Sequence, residues 1–368
     1  DPGLFFDEDG KVYVVHGQGT LYLTELNSDV KSVKGKPVKI WQGGFKNAHE
    51  LGGGFGMEGS HMYRINGKYY ITCPAGGTGG WQICLRSDNI YGPYEHKLIM
   101  NDWSSYPKNG LHQGGMVQLK NGDWWFMIMQ DRGPIGRVPC LVPVKWIDGW
   151  PMLGDEGKDL ITYPKPATGK KSKIKSPATT DEFNASQLGL QWQWNHNPDN
   201  SRWSLKERKG YMRLYASQAS TLKDARNTLT QRVQGPSCEG SVEMEVTGLK
   251  DGNIAGFGIF EFPYAYVAIR QESGRRKIVM CNDGKDIETV EHFNGDKLWI
   301  RVRATDKEFK ALFYYSLDGV NYKRIGNELQ MGLGLPWTAN RFALFNFNTT
   351  PQGNNGYADF NWFRFTNK

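Results

Sequence analysis

Apolar residues in this chain recur in short runs with a period of two, not in long stripes of helical period. Ser241-Val242-Glu243-Met244-Glu245-Val246, Leu298-Trp299-Ile300-Arg301-Val302-Arg303 and Ala311-Leu312-Phe313-Tyr314-Tyr315-Ser316 read as half-buried strands. Three more runs each follow a turn signal. Asp9-Gly10 precedes Lys11-Val12-Tyr13-Val14, Asn66-Gly67 precedes Lys68-Tyr69-Tyr70-Ile71, and Asn121-Gly122 precedes Asp123-Trp124-Trp125-Phe126. Asp-Gly and Asn-Gly supply the positive-φ residues of a two-residue hairpin turn. With 45 Gly and a 13% aromatic share, the pattern predicts an all-β protein with many tight turns.

The turn signals repeat. Gly10, Gly67 and Gly122 lie 57 and 55 residues apart, and a period of that size with several strands per unit predicts β-propeller blades. Reading back from each turn gives the first strand of each blade, starting at Asp1, Glu58 and His112-Gln113. Asp1 and Glu58 each lie nine residues before their turn glycine. In a propeller the innermost strands line the central channel, so equivalent strand starts converge on one mouth of it. Three blades cannot close a ring, since propellers have at least four. The expectation is therefore that N-terminal blades preceding Asp1, or a partner, complete the ring, and that the chain made alone is inactive.

The 368 residues suggest two domains. A stretch at 162–180, rich in Pro, Lys, Ser and Thr and without periodicity, reads as a linker. It divides 1–161, the blade region, from 181–368, whose many short strands fit a two-sheet sandwich. Asp181-Glu182-Phe183-Asn184 and the run 358–365 read as first and last strands meeting in one sheet. Net charge is +7, and four of the positive charges are Lys170, Lys171, Lys173 and Lys175 within the linker. With no interleaved aromatics, that run reads as solvated chain, and no nucleic-acid partner is expected. No stretch is long and apolar enough for a membrane span. The five cysteines show neither zinc spacing nor a disulfide framework. Cys73 and Cys84 could face each other across a hairpin, but isolated buried thiols fit better.

Two carboxylates at equivalent channel positions suit glycosidic hydrolysis, which needs a protonated acid for the leaving oxygen and a carboxylate to activate water or attack. Carboxylates that only hydrogen-bond amides at strand ends are the plain alternative. Here the residues resemble a known family. Asp1-Pro2-Gly3-Leu4-Phe5-Phe6-Asp7-Glu8-Asp9-Gly10-Lys11-Val12-Tyr13, Glu58-Gly59-Ser60-His61-Met62-Tyr63, and Gly110-Leu111-His112-Gln113-Gly114-Gly115 followed by Trp124-Trp125-Phe126 resemble, in order, three segments of glycoside hydrolase family 43. The region around Leu190-Gln191-Trp192-Gln193-Trp194 and Trp203-Ser204-Leu205 resembles the concanavalin-like, jelly-roll sandwich that follows the catalytic domain in its β-xylosidase-type members.

The resemblance implies a five-bladed propeller and an inverting mechanism. Glu58 corresponds to the general acid and Asp1 to the aspartate that tunes and orients it; Glu58 is then expected to hold its proton near neutral pH. The segment carrying the general base has no counterpart in this chain and is expected upstream. His112 resembles the channel histidine that holds a central ion or water, against the alternative of a hydrogen-bonded structural histidine. Arg132 resembles an arginine at the base of the sugar pocket, against a salt bridge to Asp131 or another channel carboxylate. Phe55 and Trp81 could stack on a sugar face or serve as core.

In the sandwich, Asp181 and Asp359 could meet where the end strands pair and hold a structural Ca²⁺; ordinary strand-end hydrogen bonding is the alternative. No cofactor is expected for the chemistry itself. The loop Phe260-Glu261-Phe262-Pro263-Tyr264 could reach a neighbouring domain or pack within the sandwich. Trp192, Trp194 and Trp203 could form a sugar platform, though core packing fits better. The leading expectation is an exo-acting hydrolase releasing xylose or arabinofuranose from xylo-oligosaccharide, arabinoxylan or xyloglucan-type substrates, in a periplasmic or extracellular setting. The competing class is a non-catalytic carbohydrate-binding or scaffold protein, for which a missing base would be no loss.

Overall fold

The computed structural model describes residues 1–51, 56–75, 79–102, 109–158, 162–169, 173, 175–305, 307–332, 337–351 and 353–368. Its internal contacts divide the chain into two units, one of Asp1–Asp131 and Arg137–Ser172, the other of Arg132–Gly136 and Lys173–Lys368.

The first unit contains three four-stranded antiparallel sheets, each in sequential order. The first comprises β1 (Gly3–Phe6), β2 (Val12–His16), β3 (Leu21–Leu26) and β4 (Val38–Trp41). The second comprises β5 (His61–Ile65), β6 (Lys68–Ala75), β7 (Trp81–Ser87) and β8 (Glu95–Met100). The third comprises β9 (Leu111–Gln118), β10 (Trp124–Asp131), β11 (Arg137–Ile147) and β12 (Trp150–Leu153). The three expected turns join the first two strands of each sheet, with Gly10, Gly67 and Gly122 at φ +84°, +78° and +91°.

Strand parity explains how these sheets stack. On β6, Tyr69, Ile71 and Cys73 pack with Phe5, Tyr13, Val15 and Leu23 of the first sheet. The intervening Tyr70 packs with Met116, Phe126 and Val142 of the third. The middle sheet is thus covered on both faces, which is why β6 reads as an unbroken buried run and not an alternating one. The outer faces differ. Leu4 and Phe6 on the first sheet are 47% and 62% exposed, and Val117 and Met127 on the third are 49% and 51% exposed. Both outer faces of the stack thus carry exposed apolar side chains. Cys73 and Cys84 are buried free thiols, and burial pushes Cys73 up to about 12.

The second unit is a sandwich of two eight-stranded sheets. One runs in the order β13 (Gln193–Trp194), β17 (Leu229–Arg232), β27 (Arg341–Asn348), β19 (Asn253–Phe260), β20 (Ala265–Glu272), β21 (Arg275–Asn282) and β22 (Lys285–Val290), with β16 (Ser217–Gln218) parallel to β27. The other runs β14 (Trp203–Ser204), β15 (Met212–Tyr215), β28 (Tyr357–Asn367), β18 (Ser237–Glu245), β23 (Lys297–Thr305), β24 (Lys310–Ser316) and β25 (Lys323–Arg324), with β26 (Leu329–Gln330) also on β24. Their inner faces share a core in which Phe257, Phe342 and Phe363 meet ring to ring. Asp181 bridges Phe363, so the first and last segments of this unit do meet. No described helix is long and apolar enough to cross a membrane. Of the linker lysines, Lys173 and Lys175 are exposed, and Lys170 and Lys171 lie outside the described residues.

Candidate active site

Asp1, Glu58 and His112 stand at the starts of β1, β5 and β9, the same end of three adjacent sheets. The approach of the chains there is close. The Gly59 amide donates to the Asp1 carbonyl at 3.0 Å. A Cβ on Gly3 would lie 2.0 Å from the Ser60 carbonyl oxygen, and one on Gly59, at φ +71°, would lie 2.5 Å from Gln113 Nε2. Only glycine permits this convergence.

A glutamine joins the three starts. On β9, Gly114 pairs with Ile128 and His112 with Met129, leaving Gln113 as the extra residue of a β-bulge. Its φ of +57° re-aims the side chain. Gln113 Nε2 then donates to Asp1 Oδ2 at 3.1 Å, and its backbone N–H donates to Gln82 Oε1 at 2.8 Å. Arg137 Nη1 donates to Gln113 Oε1 at 3.4 Å. On the first sheet, Gln18 Nε2 donates to Glu58 Oε1.

The network continues to His112. Asp131, the register partner of Arg137, is 1% exposed. Its Oδ1 lies 3.3 Å from Arg137 Nε and its Oδ2 lies 3.8 Å from His112 Nε2. His112 Nδ1 is 3.3 Å from the Gly110 carbonyl, so Nδ1 carries the proton and Nε2 the lone pair. Burial lowers the His112 pKa against the opposing pull of Asp131. A neutral ring therefore points an acceptor nitrogen toward a carboxylate, a pair suited to a shared water or cation.

The guanidinium that bridges Asp131 is that of Arg137, while Arg132 groups with the second unit, its amide donating to the Gly136 carbonyl at 2.9 Å. Trp81 begins β7 opposite Ala75, which also bridges Gly56, two residues before Glu58. Half-buried, it lines a hollow of about 450 Å³ with Ala48, Asn101 and Asp102. Phe55 lies outside the described residues. Sequence reasoning missed Gln18, Gln82 and Arg137, and it placed Gln113 at the third strand start and Asp131 beside Arg132 without giving either a role. The Gly133-Pro134-Ile135-Gly136 reversal was a usable signal, because it pairs Asp131 with Arg137 across the hairpin.

In the sandwich, the two aspartates named for calcium are both hydrogen-bonded to protein donors. Asp359 accepts from Arg213 at 2.8 Å on both oxygens and from Arg208 at 3.0 Å. Asp181 accepts from the Trp192 indole at 2.8 Å and from the Phe183 amide at 2.8 Å. Asp181 lies opposite Phe363, not opposite Asp359. Arginine and indole donors already occupy the oxygens a cation would use, and no group of three metal-ligating side chains occurs among the described residues. Trp192 is buried against Phe183 and Phe363, and Trp194 and Trp203 pack on the same core. In the loop at 260–264, Phe262 is 47% exposed, and Lys223 lies over its ring at 4.7 Å.

Comparison with known proteins places these units. Residues 1–151 match the model of glycosyl hydrolases family 43, and residues 180–366 match that of the β-xylosidase C-terminal concanavalin A-like domain. A Xylanibacter ruminicola relative is 33% identical over 91% of this chain, and the chain spans 62% of its length. A β-xylosidase of Formosa agariphila is 30% identical over 99% of this chain and 69% of its own length. A bifunctional GH43-CE structure from Bacteroides eggerthii covers all of this chain at 38% identity and a TM-score of 0.85, while the chain covers 48% of that protein. With both units matched in order, the chain belongs to glycosyl hydrolase family 43, in the branch with a C-terminal concanavalin-like sandwich.

Proposed function

We propose that this chain is the acid-bearing part of an inverting glycosidase that removes xylose or arabinofuranose from the ends of plant hemicellulose chains. The observation that carries this reading is the junction of Asp1, Gly59 and Gln113, which holds the Asp1 and Glu58 segments together at one end of adjacent sheets. Glu58 delivers its proton to the glycosidic oxygen as the bond from that oxygen to the anomeric carbon breaks. Water attacks the anomeric carbon from the opposite face and loses its proton to a carboxylate base. That base stands across the sugar, roughly 6.5–9.5 Å from the acid. It belongs to further blades, for which the open faces at Leu4, Phe6, Val117 and Met127 are the seats.

Asp1 orients Glu58, and Gln113 orients Asp1. His112 and Asp131 fit the water or ion that the family holds in its channel. The relative from Formosa agariphila supports the xylose reading. A polymeric plant substrate suits a periplasmic or extracellular setting. In the complete protein, Glu58→Gln should lower kcat on xylo-oligosaccharides by about 10³-fold. The loss should be smaller on aryl glycosides whose leaving groups need little protonation. Equal losses on both substrates would remove Glu58 from the role of acid.

A further inference from the structure

We propose a second carbohydrate site in the blade unit, one that holds a xylan chain at the end of the strands remote from Asp1 and Glu58. A cavity of about 410 Å³ there is lined by Arg64, Asn66, Gln118, Gly122, Trp124 and Trp146. That volume is in the range of small-ligand sites. Asn66 and Gly122 are the turn residues at the far ends of β5 and β9. Gln118 is six residues along β9 from His112, roughly 20 Å at the rise of a strand. The cavity is thus distinct from the candidate active site.

Its lining has the chemistry of sugar recognition. Trp124 and Trp146 are half-buried, with ring centroids 5.9 Å apart at 79°. Trp146 also meets Tyr70 edge to face at 5.4 Å, and Tyr70 is tied to the Gly149 carbonyl at 2.9 Å. These indoles are therefore fixed before any ligand arrives, which limits the ordering cost of binding. Around them stand groups for hydroxyls. Gln118 donates to the Gly122 carbonyl at 3.3 Å and keeps its own carbonyl oxygen as an acceptor. The Asn66 amide is exposed at the turn. Arg64 Nε is buried with no hydrogen-bond partner.

The charge balance selects a neutral ligand. Arg64 is paired with Asp7 at 3.1 Å and Glu8 at 3.5 Å, so its positive charge is offset and an anionic chain gains little. Fixed aromatic faces, planar amides and a single lining charge already paired with carboxylates fit a neutral pyranose chain. Its identity as xylan rests on the function proposed above. Such a site would keep the polymer on the protein while its ends are trimmed, raising the local concentration of chain ends.

The test is a titration of the full Glu58→Gln protein with xylohexaose, read at the indole N–H resonances of Trp124 and Trp146, assigned through Trp124→Phe and Trp146→Phe. Saturable shifts of both are expected. Trp124→Ala should weaken the binding seen at Trp146 about tenfold. Gln118→Ala, an exposed change that leaves packing intact, should weaken it about threefold. Neither should change kcat/KM on an aryl xyloside in the otherwise wild-type protein. Unmoved indole resonances, affinity unaffected by Gln118→Ala, or tighter binding of polygalacturonate would overturn the proposal. Hydrolysis is measured separately. Indole shifts without turnover in the wild type would therefore sink the catalytic reading alone, and turnover without shifts would sink this one alone.

Discussion

Asp131 in the blades and Asp359 in the sandwich are both buried carboxylates that face an arginine across an antiparallel ladder, yet they are held in different ways. Asp359 faces Arg213 in register and takes two hydrogen bonds from it at 2.8 Å, plus one from Arg208. Asp131 faces Arg137 in register at 3.3 Å, and neither of its oxygens takes a hydrogen bond from the described residues. A saturated buried carboxylate is a structural fixture. An undersatisfied one costs stability and is kept where a water, ion or substrate supplies the missing partner. The difference is that Asp131 keeps acceptor capacity for such a partner and Asp359 does not.

Truncating the saturated carboxylate should give the largest effect. Asp359→Ala leaves Arg213, 15% exposed at its side chain, without its bidentate partner, while Arg208 keeps Glu245 at 2.9 Å. The unfolding free energy should fall by about 3 kcal/mol, the low end for breaking a buried pair, because each arginine keeps another carboxylate, Arg213 retaining the exposed Glu207 at 3.3 Å. Urea denaturation followed by near-ultraviolet circular dichroism measures it. A loss under about 1 kcal/mol would mean that the pair is not what holds β15 to β28, and the comparison would fail on its structural side.

Asp131→Asn should give the reverse profile. Shape is kept and the charge opposite Arg137 is lost, so Arg137, Gln113 and through it Asp1 shift by a fraction of an ångström. A fall of about 100-fold in kcat/KM of the complete protein is expected, since small misplacements of reacting groups cost that much. The urea midpoint should hardly move. A large stability loss with intact activity would make Asp131 a second Asp359.

The same pair of aspartates shows what was legible from the chain. Asp-Gly and Asn-Gly turns are local signals, because the positive φ they supply is needed whatever surrounds them. Three hairpins, the blade period and the placement of Asp1, Glu58 and His112 at strand starts followed from those signals. Gln113 stood at the third strand start, nine residues before Gly122, but nothing local marked its tie to Asp1. Its role depends on a bulge opposite Ile128 and Met129 that turns an ordinary strand residue toward Asp1. Gln18 and Arg137 depend likewise on register between strands. The protein partners of the two sandwich aspartates were hidden for a related reason. Carboxylates at strand ends are visible in a sequence, whereas Arg213 reaches Asp359 across 146 residues through the pairing of β15 with β28.

Glu261 offers the finest test, because it is the sandwich carboxylate that departs from the Asp359 pattern. It is 1% exposed at the end of β19, and the Thr338 hydroxyl donates to its Oε2. Burial raises its pKa above the ordinary 4.5, and the Thr338 hydrogen bond and the charge of Arg341 only partly oppose this. The folded protein then holds this proton more tightly than the unfolded chain does. Its contribution to stability is present below the ordinary carboxylate value and is lost as pH rises through the higher folded one. Glu261→Gln keeps an acceptor for Thr338 and removes the buried charge. At neutral pH the variant should therefore be more stable than the wild type, by about 0.5 kcal/mol, the low end for single substitutions. The gain should vanish as pH is lowered toward 4. Parallel urea midpoints at pH 4, 5.5 and 7 measure the difference. A variant less stable than the wild type at every pH would show that the Glu261 charge is held by Arg341 as firmly as Asp359 is held by Arg213, and the sandwich would then hold both carboxylates in one way.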